Sequence, residues 1–270
     1  MSQPGPTGVL SRAATVVLAV ALAVALAVAL GGELLTPTDP TRTLARPWTP
    51  PGPGLPLGTD GLGRDVLARL LAGGRALTVT ASLAALSATA VGLALGLWAG
   101  WSRSRPAAAV LATADLVLAL PLLLLALLAA VSLPGSVAVV VGTVLGGAPL
   151  TLRVVADATR GARHAGYVEA ALGRGERPAV VVFRDLLPAH AGLIAADLGV
   201  RMVLAVQLAA ALAVLGFGPA PPTPDWAVML RENLTGLALN PAGVLAPAVA
   251  LMVLTTGVAL TAHRLARTPS

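Results

Sequence analysis

Residues 167–188 read YVEAALGRGERPAVVVFRDLLP, a polar island in a chain otherwise dominated by long apolar runs. The island is too rich in charge to span lipid; its charged residues are Glu169, Arg174, Glu176, Arg177, Arg184 and Asp185. The pattern predicts two short helices separated by Gly173 and Gly175, with the second beginning at Pro178. Proline suits the first turn of a helix, because its missing N–H would be unpaired there anyway. Such a unit between two membrane spans is suited to docking on another protein.

This island resembles the EAA loop of binding-protein-dependent ABC importer permeases. In that family Glu-Ala-Ala is followed by three residues, a glycine and a short helix ending in Leu-Pro. The same spacing occurs here without a gap in Glu169-Ala170-Ala171, Gly175 and Leu187-Pro188. The resemblance implies a cytoplasmic coupling helix that sits in a groove of an ATP-binding subunit. The residues expected at that contact are Tyr167, Glu169, Ala170, Ala171, Gly175, Arg184, Leu187 and Pro188.

Composition predicts a membrane protein. Of 270 residues, 56% are hydrophobic and 11% are charged, whereas soluble domains carry roughly 25% charged residues. Such a chain cannot bury its apolar surface in one globular core. The net charge of +6 comes mostly from arginines between the spans, so membrane topology explains it and no nucleic-acid partner is expected. The absence of cysteine excludes disulfides, thiolate chemistry and cysteine-based metal sites.

The apolar runs predict an all-α membrane protein with six transmembrane helices, at 13–30, 77–101, 107–133, 136–152, 189–215 and 242–262. The predicted segments are a cytoplasmic N-terminus (1–12), a first helix (13–35), an extracytoplasmic loop with an amphipathic helix (36–75), a five-helix core (76–262) with its coupling loop at 153–190, and a tail (263–270). A signal peptide is the alternative for the first run. Its apolar region is typically only about 7–15 residues long, and more spans follow, so we expect a retained span.

Arginine distribution predicts the orientation. With the N-terminus in the cytoplasm, eleven arginines lie in inside segments and six in outside segments. The positive-inside rule therefore favours a multi-pass protein of the inner or plasma membrane with both termini cytoplasmic. This orientation also puts the island on the side where ATP is found, as the resemblance requires.

Two further motifs lie before the core and between its last two predicted spans. Residues 57–69 read LGTDGLGRDVLAR, in which Asp65 can cap an amphipathic, interface-parallel helix whose apolar positions are Val66, Leu67, Leu70 and Leu71. They resemble the LGTD-x-x-GRD-V-x-x-R signature of the dipeptide, oligopeptide and nickel permease subfamily. Residues 215–230 resemble its LGxGxxPPxPxWGxML stretch, with Ala227 in place of glycine. This proline-rich outer segment is interpreted as a plug, a surface for a binding protein or simply a stiff interhelical loop.

Four polar residues inside apolar runs are candidates for the translocation path: Asp115, Asp197, Arg201 and Gln207. Intramembrane charges are costly, and they pair or face cavities. For Asp115 we favour pairing near the cytoplasmic boundary over a contact with substrate. Asp197 and Arg201 are four residues apart and share a helix face, so they either neutralise each other or line the path, and Gln207 is placed on the same stripe.

No motif for catalysis within the chain is found. There is no GKS/T phosphate loop and no plausible Ser/His/Asp or paired-carboxylate arrangement. On the predicted topology His164, His190 and His263 all lie on the cytoplasmic side, so no transmembrane ladder of nickel ligands is visible. We therefore expect neither a metal nor a cofactor in this chain, and expect ATP and Mg²⁺ to bind in partner subunits.

The resemblance implies a type I ABC importer permease fold and a transport subunit without enzymatic activity of its own. Its cargo would be peptides or related small solutes, including nickel chelates. The implied partners are a second, related permease, two ATP-binding subunits and an extracytoplasmic solute-binding protein. The alternative is an ion-coupled secondary transporter in which Asp115 and Asp197 titrate, but this does not explain the spacing of the island. A membrane-embedded enzyme lacks a catalytic constellation.

Overall fold

The computed structural model describes residues 22–24, 26–36, 38–220 and 222–265. Within these ranges the chain is helical and contains three isolated β-bridges but no strand. Its helices are α1 (Val66–Ala72), α2 (Gly74–Trp101), α3 (Arg105–Leu118), α4 (Leu122–Ser132), α5 (Gly135–Ala162), α6 (Gly166–Gly173), α7 (Pro178–Val181), α8 (Leu187–Ala189), α9 (Ala191–Val214), α10 (Trp226–Asn233) and α11 (Ala242–Leu265). A π-helical turn, Val182–Leu186, joins α7 to α8, and 3-10 turns lie at Gly32–Leu35 and Leu234–Gly236.

Four stretches of the described chain are long and apolar enough to cross a bilayer: Val66–Trp101, Gly135–Ala162, Ala191–Val214 and Ala242–Arg264. If α3 and α4 together form one broken span, the number is five. The predicted first span, 13–30, lies mostly outside the described residues. The all-helical membrane architecture is therefore confirmed, whereas six spans stay a prediction.

The third predicted span, 107–133, is not one continuous helix. α3 and α4 are separate and are bent by 90° relative to each other. The break lies at Pro121, which has no N–H to donate and which disfavours helical backbone at Leu120 before it. Leu120 closes α3 with a tight hydrogen bond to the Val117 carbonyl, 3.0 Å long. Proline chemistry thus explains why the predicted third span consists of two helices.

Helical structure also occurs at two places outside the predicted spans. The fourth span was predicted at 136–152, but α5 continues to Ala162. Val155, Ala156 and Thr159 remain buried in this extension, so the helix keeps a protein-facing side although Arg160 is exposed. The predicted loop at 216–241 contains α10 and a 3-10 turn.

The chain divides into two compact units. The first consists of the described residues up to Val79 together with Ala209–Thr261, and the second contains Thr80–Leu208. Each unit has its own packing and is described separately.

In the first unit, the proline-rich segment before α1 is an ordered loop. The Asn240 side chain is fully buried and donates hydrogen bonds to the carbonyls of Leu57 and Thr59, both 3.0 Å long. Gly63 has a φ of +74°, and a Cβ there would clash with the carbonyl of Ala45. Long-range side-chain bonds and tight glycine turns replace regular structure in this segment.

In the second unit, α2 lies close against α5 along a row of glycines. A Cβ at Gly96 would lie 2.8 Å from the Leu152 carbonyl oxygen, and one at Gly100 would lie 2.6 Å from the Ala156 carbonyl oxygen. Gly92, one turn earlier, would clash with Thr151. Small residues let two helix backbones approach within a bilayer, so this row fixes the α2–α5 interface.

Candidate functional site

The island, residues 167–188, folds into two short helical segments, and its turn follows the predicted signals. α6 ends at Gly173, and Gly175 has a φ of +82°, a left-handed conformation that glycine adopts at little cost. α7 begins at Pro178 after the extended residue Arg177. One glycine and one proline therefore set the local geometry of the island.

One face of the island is buried in the second unit. Val168 and Ala171 project from α6 into an apolar cluster with Leu97 of α2 and Val155 of α5. The second helical segment adds Val181, Val182 and Leu186. Fully burying one such aliphatic side chain is worth about 1.5–3 kcal/mol. The island is therefore anchored on the ends of α2 and α5; we call this group of buried side chains the island cluster.

The opposite face of the island is exposed and partly apolar. The exposed fractions are 50% for Tyr167, 44% for Val180 and 66% for Phe183. Glu169 and Ala170 are exposed as well. Exposed apolar side chains grouped with charged ones are typical of protein contact surfaces. Sequence reasoning found Tyr167 but missed Val180 and Phe183, whose exposure depends on how the VVVF run is turned.

Ion pairs join the turn to the second helical segment. Arg174 Nη2 lies 2.8 Å from Glu176 Oε1, and Arg184 Nη2 lies 2.6 Å from Glu176 Oε2. Arg184 also donates two hydrogen bonds to Asp185, 3.0 and 3.1 Å long. The Arg174 hydrogen bond, followed by that of Arg184, holds the pKa of Glu176 below its ordinary value. The hydrogen bond from Arg184 lowers the pKa of Asp185 in the same way.

The residues predicted at the contact do not all face outward. Those that are exposed are Tyr167, Glu169, Ala170, Gly175, Arg184 and Pro188. Ala171 is buried in the island cluster, and Leu187 is half-buried at its edge. The middle of the Glu-Ala-Ala triplet thus faces solvent, while its last residue holds the island in place.

The predicted Asp197–Arg201 pair lies at the centre of a buried polar cluster in the second unit. Arg201 Nη2 donates to Asp197 Oδ1 at 3.0 Å. The hydroxyls of Thr89 in α2 and Thr151 in α5 donate to Asp197 Oδ2 at 3.0 and 2.8 Å. Arg201 is only 2% exposed, and Gly147 leaves room for its side chain. We call these four bonded side chains the Asp197 cluster; mutual pairing is observed, and a role in the path stays a prediction.

The other two predicted path residues lie elsewhere. Gln207 is exposed on α9 and does not share the buried face of Arg201. Asp115 in α3 pairs with Arg153 of α5 through the Nε and Nη2 atoms of the guanidinium group, with 2.6 Å between Arg153 Nε and Asp115 Oδ1. Arg153 Nη2 also donates to the Leu111 carbonyl. Both aspartates that were predicted to lie within spans are therefore paired with an arginine.

Sequence reasoning missed a buried ionic cluster in the first unit, formed by Asp60, Arg64, Arg69 and Glu232, which we call the outer ionic cluster. Arg69 Nη2 lies 2.8 Å from Glu232 Oε2, and Arg69 Nη1 lies 3.3 Å from Asp60 Oδ2. Arg64 bridges the same two carboxylates at 2.7 and 3.1 Å. Two cations and two anions therefore balance within a site where Asp60 and Arg69 are fully buried.

α1, where an amphipathic helix was predicted, carries Arg69 of this cluster. Asp65 caps α1, accepting from the Leu67 N–H at 2.9 Å. The buried side chains of α1 are Val66, Ala68 and Arg69, and the ionic cluster supplies partners for the charged one. The predicted position of this helix parallel to the membrane interface stays a prediction.

The outer motif at 215–230 contains a second anchor within the first unit. Trp226 is fully buried, and its Nε1 donates to the Leu70 carbonyl at 2.6 Å. Asp225 caps α10 by accepting from the N–H groups of Ala227 and Val228. Burial raises the pKa of Asp225 although both of these bonds oppose the shift. This motif therefore packs on α1. Its interpretation as a plug or as a surface for a binding protein stays a prediction.

No metal centre is evident in the part of the chain that the structure describes. Those residues hold no group of three or more His, Cys, Asp or Glu side chains placed to bind one ion. His164 and His263 are exposed, and His190 Nδ1 lies 2.6 Å from the Leu186 carbonyl oxygen.

Comparison with known proteins gives a consistent set of matches. Residues 92–268 match the profile of a family described as "Binding-protein-dependent transport system inner membrane component". The chain is 31% identical to the glutathione transport system permease protein GsiD of Pectobacterium atrosepticum, over 73% of this chain and 66% of that protein. It is 34% identical to the di/tripeptide transport system permease protein DppC of Pseudomonas aeruginosa, over 65% and 58%.

A further match is the peptide transport system permease protein SapC of Escherichia coli, 31% identical over 73% of this chain and 67% of that protein. The chain therefore spans about three fifths to two thirds of the lengths of these relatives. The matched region of the family profile includes the island and the Asp197 cluster except for Thr89.

Proposed function

Because this chain belongs to the family of binding-protein-dependent transport system inner membrane components, we propose that it is the transmembrane permease subunit of an ATP-driven importer. Its cargo is a peptide or a related small solute. The relatives quoted above are named for glutathione, di/tripeptide and peptide transport, which supports a peptide-like cargo more than a nickel chelate. ATP is bound and hydrolysed by partner subunits.

The two-faced island is the observation that carries this proposal. Its inner face is anchored by fully buried aliphatic side chains such as Val168 and Leu186. Its outer face presents Tyr167, Val180 and Phe183. A small helical unit that is fixed on one side and apolar on the other is suited to transmit motion from a docked ATPase.

The mechanism joins the island to alternating access. Closure of two ATP-binding subunits around ATP moves the docked island, and the attached helices switch the path between outward and inward access. ATP must bind the two states with different affinity, since equal affinity shifts no equilibrium. A second permease subunit, related to this chain, completes the path, and an extracytoplasmic binding protein delivers the solute.

The same proposal includes the orientation of the chain in the membrane. The excess of arginine in the predicted inside segments supports cytoplasmic termini and a cytoplasmic island in an inner or plasma membrane. The loop before α1 and the segment containing α10 then face the other side, where the binding protein docks.

The test is recovery of the ATPase with the tagged chain from detergent extracts. Wild type is expected to bring down its ATP-binding subunit. Glu169→Arg and Phe183→Ser alter only exposed side chains of the island and are expected to lose it. Gly175→Pro is expected to lose it as well, since proline requires a negative φ near −65° where Gly175 has +82°.

The matched control is Glu33→Arg, the same charge reversal at another exposed glutamate, predicted to lie on the opposite side of the membrane. It is expected to retain the ATPase. Normal ATPase recovery and solute uptake in all three island variants would contradict the docking assignment. A stable wild-type complex without any ATPase would contradict the importer assignment itself.

A further inference from the structure

Two side-chain clusters lie next to each other in the second unit. The island cluster is apolar and includes Leu97 of α2 and Val155 of α5. The Asp197 cluster is polar and is formed by Thr89, Thr151, Asp197 and Arg201. A buried ion pair, which is costly to desolvate, therefore lies beside the apolar contacts that hold the island.

On each of α2, α5 and α9, one residue of the Asp197 cluster has a neighbour, four residues away on the same helix, that belongs to the island cluster or packs against it. Val155 follows Thr151 by four residues on α5, and Leu193 precedes Asp197 by four residues on α9, about one helical turn in each case. On α2, Leu93 follows Thr89 by the same interval. Leu93 and Leu193 pack against the island cluster.

A small cavity marks the junction between the two clusters. Its volume is about 10 Å³, room for about one water molecule, and both clusters contribute to its lining. The lining residues include Thr89, Thr151 and Asp197 from one side and Leu93, Val155 and Leu193 from the other. The two clusters are therefore contiguous at this cavity.

The hydrogen bonds of the Asp197 cluster are directional, whereas the apolar contacts of the island cluster are not. Asp197 Oδ1 accepts from Arg201 on its own helix, whereas Oδ2 accepts one hydroxyl from α2 and one from α5. A buried polar group left without its partner costs about 1–3 kcal/mol, more if it is charged. Sliding any of the three helices breaks at least one of these bonds, while apolar packing is non-directional and tolerates such movement.

We propose that the Asp197 cluster locks α2, α5 and α9 into one rigid body, so that movement of the island is transmitted to the membrane-embedded helices rather than absorbed between them. This inference rests on the proposed function. The four side chains of the Asp197 cluster are then positioning residues for transport. They act through the island and need not touch the solute.

The absence of native cysteine allows a direct measurement. Spin labels are attached to Arg177→Cys on the island and Val200→Cys on α9, both exposed positions. The distance between the labels is measured in the complete complex in lipid, before and after trapping with ATP and vanadate. The mobility of the Arg177 label alone reports separately whether the island responds to ATP.

In wild type the Arg177 label is expected to respond to ATP while the distance between the labels stays constant. The Thr89→Val/Thr151→Val variant keeps the shape of both side chains but removes both hydroxyls from Asp197. It is expected to show an ATP-dependent shift or broadening of the distance, and Thr89→Ser/Thr151→Ser is expected to restore the constant value.

Thr143→Val is the matched control, because Thr143 is buried on the same helix as Thr151 and its hydroxyl has no hydrogen-bond partner among the residues that the structure describes; the distance between the labels in this variant is expected to behave as in wild type. A constant distance in the double valine variant, or an equal shift in wild type, would overturn the rigid-body inference alone. An Arg177 label that ignores ATP in wild type would overturn the proposed function, and this inference with it. If the double variant does not assemble, Thr89→Val alone is read by the same criteria.

Discussion

Replacing Arg69 with methionine is expected to open the loop before α1. The substitution keeps much of the side-chain volume but removes the cation that lies 2.8 Å from Glu232 and 3.3 Å from Asp60. Arg64 then faces two carboxylates alone, and Asp60 is fully buried. Removing one partner of a buried ion pair costs about 3–5 kcal/mol, because an uncompensated charge remains.

Hydrogen exchange of the loop measures this cost. The Thr59 N–H donates to the Thr49 carbonyl and the Asp60 N–H to the Arg64 carbonyl, both at 2.9 Å, so both amides are protected only while the loop is closed. Since about 1.4 kcal/mol corresponds to a tenfold change, a loss of about 3–5 kcal/mol lowers protection by roughly 10²- to 10³-fold or slightly more. Mass spectrometry of peptides from 57–65 reports the change.

Two comparisons make this prediction strict. Arg75→Met removes an exposed arginine paired with Glu33 at 3.2 Å, and exposed pairs contribute only about 0–1 kcal/mol. Adding Glu232→Gln to Arg69→Met restores the balance of one cation and one anion, so part of the protection is expected to return. The reasoning is refuted if Arg69→Met changes exchange no more than Arg75→Met, or if the double variant is worse than the sum of its parts.

Three other predictions concern separate elements. Gly63→Ala is expected to destabilise the same loop by at least about 1–2 kcal/mol, since left-handed backbone disfavours L-residues and the Ala45 carbonyl occupies the space; exchange of the Leu44 amide, which donates to Gly63, tests this. Gly96→Ala is expected to lower the melting temperature of the purified subunit, whereas Gly161→Ala, where nothing lies within 4 Å, is expected to leave it equal or raise it because alanine favours helix by about 1 kcal/mol. Because the pKa of Glu176 is lowered in the folded protein, its ionised carboxylate stabilises the turn at pH above the unfolded value of about 4.3, and this stabilisation is lost as pH falls through the folded pKa. Protection of the Glu176 amide, corrected for intrinsic exchange, is expected to fall over the same pH range. Glu176→Gln is expected to remove this pH dependence.

Local chemistry made much of the island predictable. Gly175 and Pro178 set its turn and second start through backbone preferences that act within a few residues, and Asp65 caps α1 for the same reason. Pro121 could also have been taken as a helix break, since the rule that ends α3 there is equally local. These features follow from short stretches of sequence.

What could not be predicted depends on distant partners. Arg69 is buried because Glu232, far along the chain, lies against it, and no periodicity on α1 reveals that. Thr89 and Thr151 gain significance only when α2 and α5 bring both hydroxyls to one carboxylate. The outward turn of Phe183 likewise depends on which side of the VVVF run packs on the rest of the second unit.

The separation of the outer ionic cluster along the chain also has a consequence for biogenesis. Arg69 leaves the ribosome 163 residues before Glu232, an interval on the order of ten to thirty seconds at about 5–20 residues per second. During that time the nascent chain carries both arginines of the cluster but only one of its two carboxylates, Asp60. The loop before α1 therefore completes its ion pairs only after α10 has been synthesised, so a polypeptide truncated before Glu232 is expected to be a substrate for quality-control proteases even after most of its membrane helices have inserted.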